Sequence, residues 1–191
     1  MYGMSAGNLY IALLHYPVYN KRGEIVTTAV TNMDIHDISR TARTYGVKRF
    51  YIVTPLEQQK RFVERILHHW QRGYGTTYNP SRKEAFDIVR VADTLGDVTA
   101  ALAKETGGRL KVVITSASPR ENCLTCEALG ELISQGDEAF LILFGTGWGI
   151  ADEVMEMADF LVEPIRGDSD YNHLSVRSAA AVMLDRLCRH N

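Results

Sequence analysis

The sequence is poor in cysteine, in net charge and in long apolar runs, and each shortage excludes a class of protein. Three cysteines among 191 residues are too few, and odd in number, for a disulfide framework. A formal net charge of −2 excludes a strongly basic nucleic-acid coat protein. No apolar run reaches the roughly 18 to 20 residues of a membrane span, and the chain does not open on a signal segment. We therefore expect a cytoplasmic protein that does not enter a membrane.

The cysteines do not form a recognisable metal motif either. Cys123 and Cys126 make a Cys-Leu-Thr-Cys pair, which would suit zinc or redox chemistry, but the pair falls inside an apparent helix and has no second pair of ligands. We interpret both as inert helical thiols and expect no metal.

Apolar runs rich in β-branched and aromatic residues alternate with segments of helical spacing. The predicted strands are 9–14, 50–54, 86–91, 111–116, 139–144 and 159–164. The predicted helices are 34–45, 56–72, 95–106, 121–135, 150–158 and 174–189. This alternation predicts an α/β fold, with a doubly wound, mostly parallel six-stranded sheet and helices on both faces.

The length and composition fit one compact unit. With 46% apolar residues, the chain suffices for one hydrophobic core, and we expect a single domain over residues 1–191. The stretch 73–85 shows no clear period, so it is predicted to be a surface connection or a loop that contacts a partner.

Three loops at the carboxyl ends of predicted strands have unusual compositions, and parallel α/β sheets bind ligands at that edge. The first loop begins with the small residues 115–117. The second, 144–150, places three glycines around Trp148, whose indole offers a flat surface for a ring such as adenine. The third, 165–175, is polar and leads into the last helix. We expect these three loops to form one pocket.

The glycine loop 145–149 does not fit the common nucleotide motifs. It follows the fifth predicted strand, whereas a dinucleotide fingerprint follows the first, and no phosphate-binding P-loop occurs in the chain. A flavodoxin-like or other nucleotide enzyme stays open as an alternative.

Taken together, these segments resemble the SPOUT superfamily of S-adenosylmethionine-dependent RNA methyltransferases. DIHDISRTARTYGV (34–47) is similar to the family's first motif, with Arg40 at the position of its arginine and Asp34 where many relatives have Asn. FGTGWGI is similar to the second motif, except that Gly147 stands where many members have Glu. PIRG followed by LSVRSAAAV is similar to the third. The whole chain most resembles a small bacterial branch close to the carboxyl-terminal domain of tRNA (guanine-N1)-methyltransferases.

The resemblance implies a carboxyl-terminal trefoil knot, a homodimer that packs through the last helix and shares its active site, and methyl transfer from S-adenosylmethionine to a base or ribose of tRNA or rRNA. It also implies roles for particular residues. The expected cofactor-binding residues are Thr115, Ser116, Ala117, Phe144, Gly145, Thr146, Gly147, Trp148, Gly149, Ile150, Ile165, Arg166, Gly167, Asn172, Leu174 and Ser175. The expected catalytic residues are Arg40, Asp170 and His173.

Arg40 is the strongest of the catalytic candidates because a guanidinium can clamp an RNA phosphate or stabilise charge on the accepting group. Asp170 and His173 are candidates for accepting a proton because they belong to the third loop. An alternative to the enzyme is a noncatalytic module that binds S-adenosylmethionine or adenosine for regulation.

Overall fold

Within residues 8–117, 120–169 and 171–189, which a computed structural model of the protein describes, the chain forms nine strands and eight helices. The strands are β1 (Leu9–Leu14), β2 (Val18–Tyr19), β3 (Ile25–Val26), β4 (Arg49–Val53), β5 (Val89–Ala92), β6 (Leu110–Thr115), β7 (Cys123–Leu124), β8 (Ala139–Gly145) and β9 (Phe160–Val162). The helices are α1 (Asn32–Thr44), α2 (Glu57–Gln71), α3 (Gly75–Tyr78), α4 (Pro80–Asp87), α5 (Leu95–Thr106), α6 (Cys126–Gln135), α7 (Asp152–Met155) and α8 (Val176–Cys188).

In the described part of the chain, seven strands form one sheet in the order β5-β4-β1-β8-β6-β9-β7, and every neighbouring pair is parallel. The central strands β1 and β8 are apolar along most of their length because both of their faces are buried. β2 and β3 form a separate antiparallel hairpin. The last strand, β9, lies between β6 and β7, both of which precede it in the chain.

Helices cover both faces of the sheet, as predicted. Alternate residues of each strand point to opposite faces, so Ile11 and Leu13 belong to one core and Tyr10 and Ala12 to the other. The first core packs against α1, α2, α4, α6 and α8. The second packs against α5, α7 and Val18 of the hairpin. The α/β class and the parallel sheet are therefore confirmed.

Three details of the prediction are wrong. The sheet has seven strands rather than six in the described residues, because Cys123–Leu124 forms the short edge strand β7 instead of the first turn of a helix. The stretch 73–85 is mostly helical, since α4 begins at Pro80 with the Asn79 side chain as its N-cap. For the same reason β5 begins at Val89, three residues later than predicted.

The Cys123–Cys126 pair is also placed differently from the prediction. Cys123 lies in β7, and Cys126 begins α6 directly after its N-cap residue Thr125. All three cysteines of the chain are free. Burial raises the pKa of Cys126, and it raises that of Cys188 to about 11, so both thiols stay protonated near neutral pH.

Among the described residues, no helix combines the length and apolar character that a membrane crossing would require.

Candidate functional site

A cavity of about 880 Å³ lies at the carboxyl edge of the sheet, where β6, β8 and β9 end. The three loops predicted to form one pocket all contribute to its wall. The expected cofactor-binding residues that line it are Thr115, Ser116, Ala117, Phe144, Gly145, Thr146, Gly147, Trp148, Gly149, Ile150, Ile165, Asn172, Leu174 and Ser175. Arg166 and Gly167 are not part of this lining.

The glycine loop after β8 is held in place by the β2–β3 hairpin. The backbone N–H of Trp148 donates to the carbonyl oxygen of Tyr19 at 2.8 Å, and the N–H of Tyr19 donates to that of Gly149 at 2.8 Å. Gly147 adopts a φ of +60°, and a Cβ built there would lie 2.7 Å from the Tyr19 oxygen. This position requires glycine both for its backbone angle and for its contact with the hairpin.

Trp148 stands at the mouth of the cavity with 65% of its surface exposed. Such an exposed indole, fixed by backbone hydrogen bonds of the loop that carries it, is available to stack on a planar ligand. Deeper in the cavity the wall is apolar and includes Phe144, Ile150 and Met183.

Behind the glycine loop lies a hydrogen-bonded chain that sequence reasoning missed. The Thr146 hydroxyl donates to the carbonyl oxygen of Leu14 at 2.9 Å and contacts the hydroxyl of Thr28. The Thr28 hydroxyl also lies 3.0 Å from Nδ1 of His15, which is fully buried. Burial lowers the pKa of His15 to about 4, although the nearby Asp34 carboxylate acts in the opposite direction. His15 is therefore neutral at pH 7 and can link β1 to this network without a charge.

Asp34 is a second feature of the cavity that was not assigned a role from the sequence. It lines the cavity with only 6% of its surface exposed and lies in the first turn of α1. Its carboxylate accepts a hydrogen bond from the hydroxyl of the N-cap residue Thr31 at 2.6 Å and one from Arg177 at 3.2 Å. Because Arg177 belongs to α8, this ion pair joins the starts of α1 and α8 beside the cavity.

A hydrogen bond connects the third loop, 165–175, to the first, which begins at 115. The Asn172 amide donates to the carbonyl oxygen of Ala117 at 3.0 Å, so this side chain ties the two loops together. Ser175 is the N-cap of α8, and its hydroxyl accepts from the N–H of Ser178 at 3.4 Å. Both residues line the cavity while performing these structural roles.

Of the three expected catalytic residues, the described structure contains His173 and Arg40, and it places only His173 in the cavity wall. His173 lines the cavity and packs edge-on against the ring of Tyr171. Arg40 is exposed on α1 and is not part of the cavity lining. Asp170 lies outside the described residues.

One further charged side chain belongs to the cavity wall. Arg120 lines the cavity and lies 3.9 Å from Asp152, so the wall carries two arginines and one aspartate in addition to His173. Among the described residues, no three histidine, cysteine, aspartate or glutamate side chains come together in a way that could hold a metal ion.

This α/β fold is shared with a known class of enzyme. A family model described as SAM-dependent RNA methyltransferase matches residues 8–189. The chain therefore belongs to the family of S-adenosylmethionine-dependent RNA methyltransferases, and the resemblance to SPOUT enzymes is confirmed.

Two relatives match most of this chain. An uncharacterized protein of Aquifex aeolicus is 43% identical over 184 residues, covering 96% of this chain and 90% of that protein. A tRNA (guanine-N(1)-)-methyltransferase of Nitratidesulfovibrio vulgaris is 43% identical over 180 residues, covering 94% of this chain. The chain spans only 42% of that second relative, so more than half of the latter lies outside the match.

The solved structures show the same fold at low identity. The SpoU methyltransferase AviRb of Streptomyces viridochromogenes, in complex with the cofactor AdoMet, superposes with a TM-score of 0.57. The two are 14% identical, and the match covers 94% of this chain and 56% of that one.

Proposed function

We propose that the carboxyl-edge cavity binds S-adenosylmethionine and that the protein transfers the methyl group of this cofactor to tRNA. The observation that carries the proposal is the convergence of residues 115–117, 144–150 and 172–175 on one cavity of about 880 Å³. That volume lies within the roughly 300–1,000 Å³ of typical small-molecule sites. The family's cofactor is S-adenosylmethionine, which supplies an already activated methyl group.

The residues of the cavity suit a ligand with one apolar and one charged end. Trp148, Ile150 and Leu174 offer apolar surface for the adenine, and the backbone of the glycine loop is open to hydrogen bonding. Arg120 and Arg177 can attract a carboxylate, and Asp34 can attract a positive centre. We assign the adenosine end to the glycine loop and the amino-acid end to the charged wall.

For the reaction, the chain must orient the two reactants and remove a proton from the accepting atom. His173 lines the cavity and is the candidate proton acceptor among the described residues of the third loop. Asp34 is held by Thr31 and Arg177, which favours a fixed negative charge near the cavity rather than a freely moving base.

We also propose a homodimer in which the mouth of the cavity is shared. Apolar side chains are exposed there: Trp148 and Leu174 line the cavity, and the exposed ring of Tyr171 packs against the cavity-lining His173. Cover by a second copy of the chain would bury these side chains. Light scattering tests this proposal, because a monomer at micromolar concentration would contradict it.

Three further assignments belong to the same proposal. The trefoil knot of SPOUT enzymes is favoured by the hydrogen bond from Asn172 to the Ala117 carbonyl oxygen, because it brings the chain after β9 against the connection between β6 and β7. The family match over residues 8–189 favours a single domain. A cytoplasmic location follows from the substrate, because tRNA and the cofactor are both found there.

The choice of tRNA comes from the relatives. The Nitratidesulfovibrio vulgaris protein is named for methylation of tRNA at guanine N1, and this chain matches 42% of it. Because the remaining part of that relative could carry the named reaction, the proposal extends to tRNA as the substrate class and not to the guanine N1 atom.

The test is to incubate the protein with isotope-labelled S-adenosylmethionine and total bacterial tRNA, and then to identify methylated nucleosides by mass spectrometry. Arg40→Ala should reduce transfer at least tenfold, whereas Arg43→Ala, one turn further along α1 and paired with Glu84, should not. Cofactor binding in calorimetry with no transfer to any RNA would contradict the enzyme and support the noncatalytic binding module instead.

A further inference from the structure

A second depression lies on the helical surface, between α1 and α2. It has a volume of about 400 Å³, and we name it the α1–α2 groove. Its lining residues are Asn32, His36, Phe62, Arg65, Ile66, His69 and Trp70. The first turn of α1 separates the groove from the cofactor cavity, since Thr31 and Asp34 line the cavity and Asn32 lines the groove. A helix is about 10 Å across, so a ligand in the groove lies within reach of the cavity mouth.

Three arginines lie at or beside the groove, and none of them pairs with a carboxylate of the described residues. Arg65 lines it, Arg82 stacks over the ring of Trp70 at 4.9 Å, and Arg40 lies one turn beyond His36 on the same face of α1. Burial makes the largest contribution to lowering the pKa of His36, the guanidinium groups of Arg82 and Arg40 lower it further, and Asp37 opposes the shift. Both arginines therefore lie close enough to His36 to act on it.

The absence of acidic partners distinguishes this region from the neighbouring surface. In the described ranges, no carboxylate oxygen lies within 4.0 Å of a guanidinium nitrogen of Arg40, Arg65 or Arg82. By contrast, Lys60 and Arg61 on the same helix as Arg65 are both paired with Glu57. The groove thus carries three arginines outside any described ion pair, in a protein whose net charge is −2.

Two exposed tyrosines lie next to this charge. Tyr74 and Tyr78 are 74% and 72% exposed, and their rings lie 6.1 Å apart at an interplanar angle of 30°. Gly75 allows the backbone of this segment to pack closely against Trp70 of the groove, because a Cβ at that position would lie only 2.7 Å from the Trp70 ring. Proteins that bind single-stranded nucleic acid combine exposed aromatic rings with arginines. The bases stack on the rings, and the phosphates bind to the guanidinium groups.

We propose that the α1–α2 groove is a docking site for RNA, in which Arg40, Arg65 and Arg82 bind phosphates and an unpaired base stacks on Tyr74 or Tyr78. The proposal rests on the proposed function, because it places the substrate of that reaction on a surface next to the cofactor cavity. RNA held there could reach the cavity mouth around the start of α1.

The experiment measures fluorescence anisotropy of an unmodified, fluorescein-labelled tRNA transcript over a range of salt concentrations. Arg65→Ala should raise Kd about tenfold and reduce the slope of log K against log salt by about 0.7 to 0.9, the value of one phosphate contact. Tyr78→Ala should also raise Kd about tenfold, but it should leave the slope unchanged because stacking releases no counterions.

Matched controls separate docking from folding. Arg109→Ala removes an exposed arginine at the amino end of β6, on the opposite edge of the sheet from the cavity, and should leave the Kd for tRNA within twofold. All variants should bind S-adenosylmethionine in calorimetry as the wild type does, because none of the substituted residues lines the cavity.

The experiment distinguishes an error in the docking proposal from an error in the proposed function. If the wild type binds the transcript and Arg65→Ala and Tyr78→Ala bind it equally well with unchanged slopes, the groove is not the docking site, and the methyltransferase assignment stands. If the wild type binds the cofactor but not the transcript, both the tRNA substrate and the groove are wrong.

Discussion

Replacing Gly147 by alanine tests whether the glycine loop forms the cofactor site. The added Cβ would lie 2.7 Å from the carbonyl oxygen of Tyr19 and 3.3 Å from the Thr28 methyl group. That carbonyl oxygen also accepts the hydrogen bond of the Trp148 N–H. The loop or the hairpin must therefore move, and the contacts between them weaken where Trp148 is held at the cavity mouth.

The size of the effect follows from two separate costs. Alanine at a φ of +60° costs about 1 kcal/mol relative to glycine, and an overpacked contact with backbone costs about 1–3 kcal/mol more. Gly107 provides the matched control, because its φ is +64° and a Cβ there would meet nothing within 4 Å. Gly107→Ala should thus lose about 1 kcal/mol of unfolding free energy, and Gly147→Ala about 2–4 kcal/mol.

The assay combines urea denaturation with calorimetric titration of S-adenosylmethionine. Gly147→Ala should bind the cofactor at least tenfold more weakly, while Gly107→Ala, at the end of α5, should bind it as the wild type does. Wild-type affinity in Gly147→Ala would refute the reasoning, because it would mean that the cofactor does not depend on this loop.

Three other predictions concern the surroundings of the cavity. Burial lowers the folded-state pKa of His15 to about 4, below its ordinary 6.5, so roughly 3 kcal/mol of stability present above pH 6.5 should be lost as the pH falls to 4. Urea titrations at a series of pH values should show this loss of unfolding free energy in the wild type and not in His15→Asn. The same dependence of unfolding free energy on pH in both proteins would contradict the prediction. Arg177→Met should destabilise the fold by about 2 kcal/mol, because it leaves the Asp34 carboxylate without its cation, and Asp34→Asn should cost less. Equal urea midpoints of these two variants would be inconsistent with that pairing. Titration with the cofactor should change the tryptophan fluorescence of the wild type but not that of Trp148→Phe, in which Trp70 remains. A fluorescence change in Trp148→Phe would mean that the cofactor acts on Trp70 and not on Trp148.

The main strands and the fold class were predictable because strands buried on both faces leave short unbroken apolar runs, as in β1. β7 was not predictable, because two residues are too few to show a hydrophobic period. Its extended conformation depends on pairing with β9. The start of α4 had a signal that was overlooked: an asparagine followed by proline is an N-cap and first helical residue. The β2–β3 turn around Gly23 was missed in the same way.

Within the candidate site, the three loops could be predicted from the sequence. The residues from other elements that complete the cavity wall could not. Loops at the carboxyl edge follow from the order of strands and helices, so the residues after β6, β8 and β9 were found from the sequence. Tyr19, Thr28 and Arg177 reach the cavity from elements distant along the chain, and no local pattern marks such contacts. Arg40 was singled out by a motif alone, and the fold sets it on the outer surface of α1.

The insertion of β9 into the sheet has a consequence for how the protein is made. β7 is joined to the sheet only through β9, and β6 has β9 as its partner on one side. A nascent chain that has emerged as far as residue 155 therefore presents a gap with two bare strand edges, which invite pairing with other chains. Premature termination before β9 would accordingly yield aggregates rather than a shortened but folded protein.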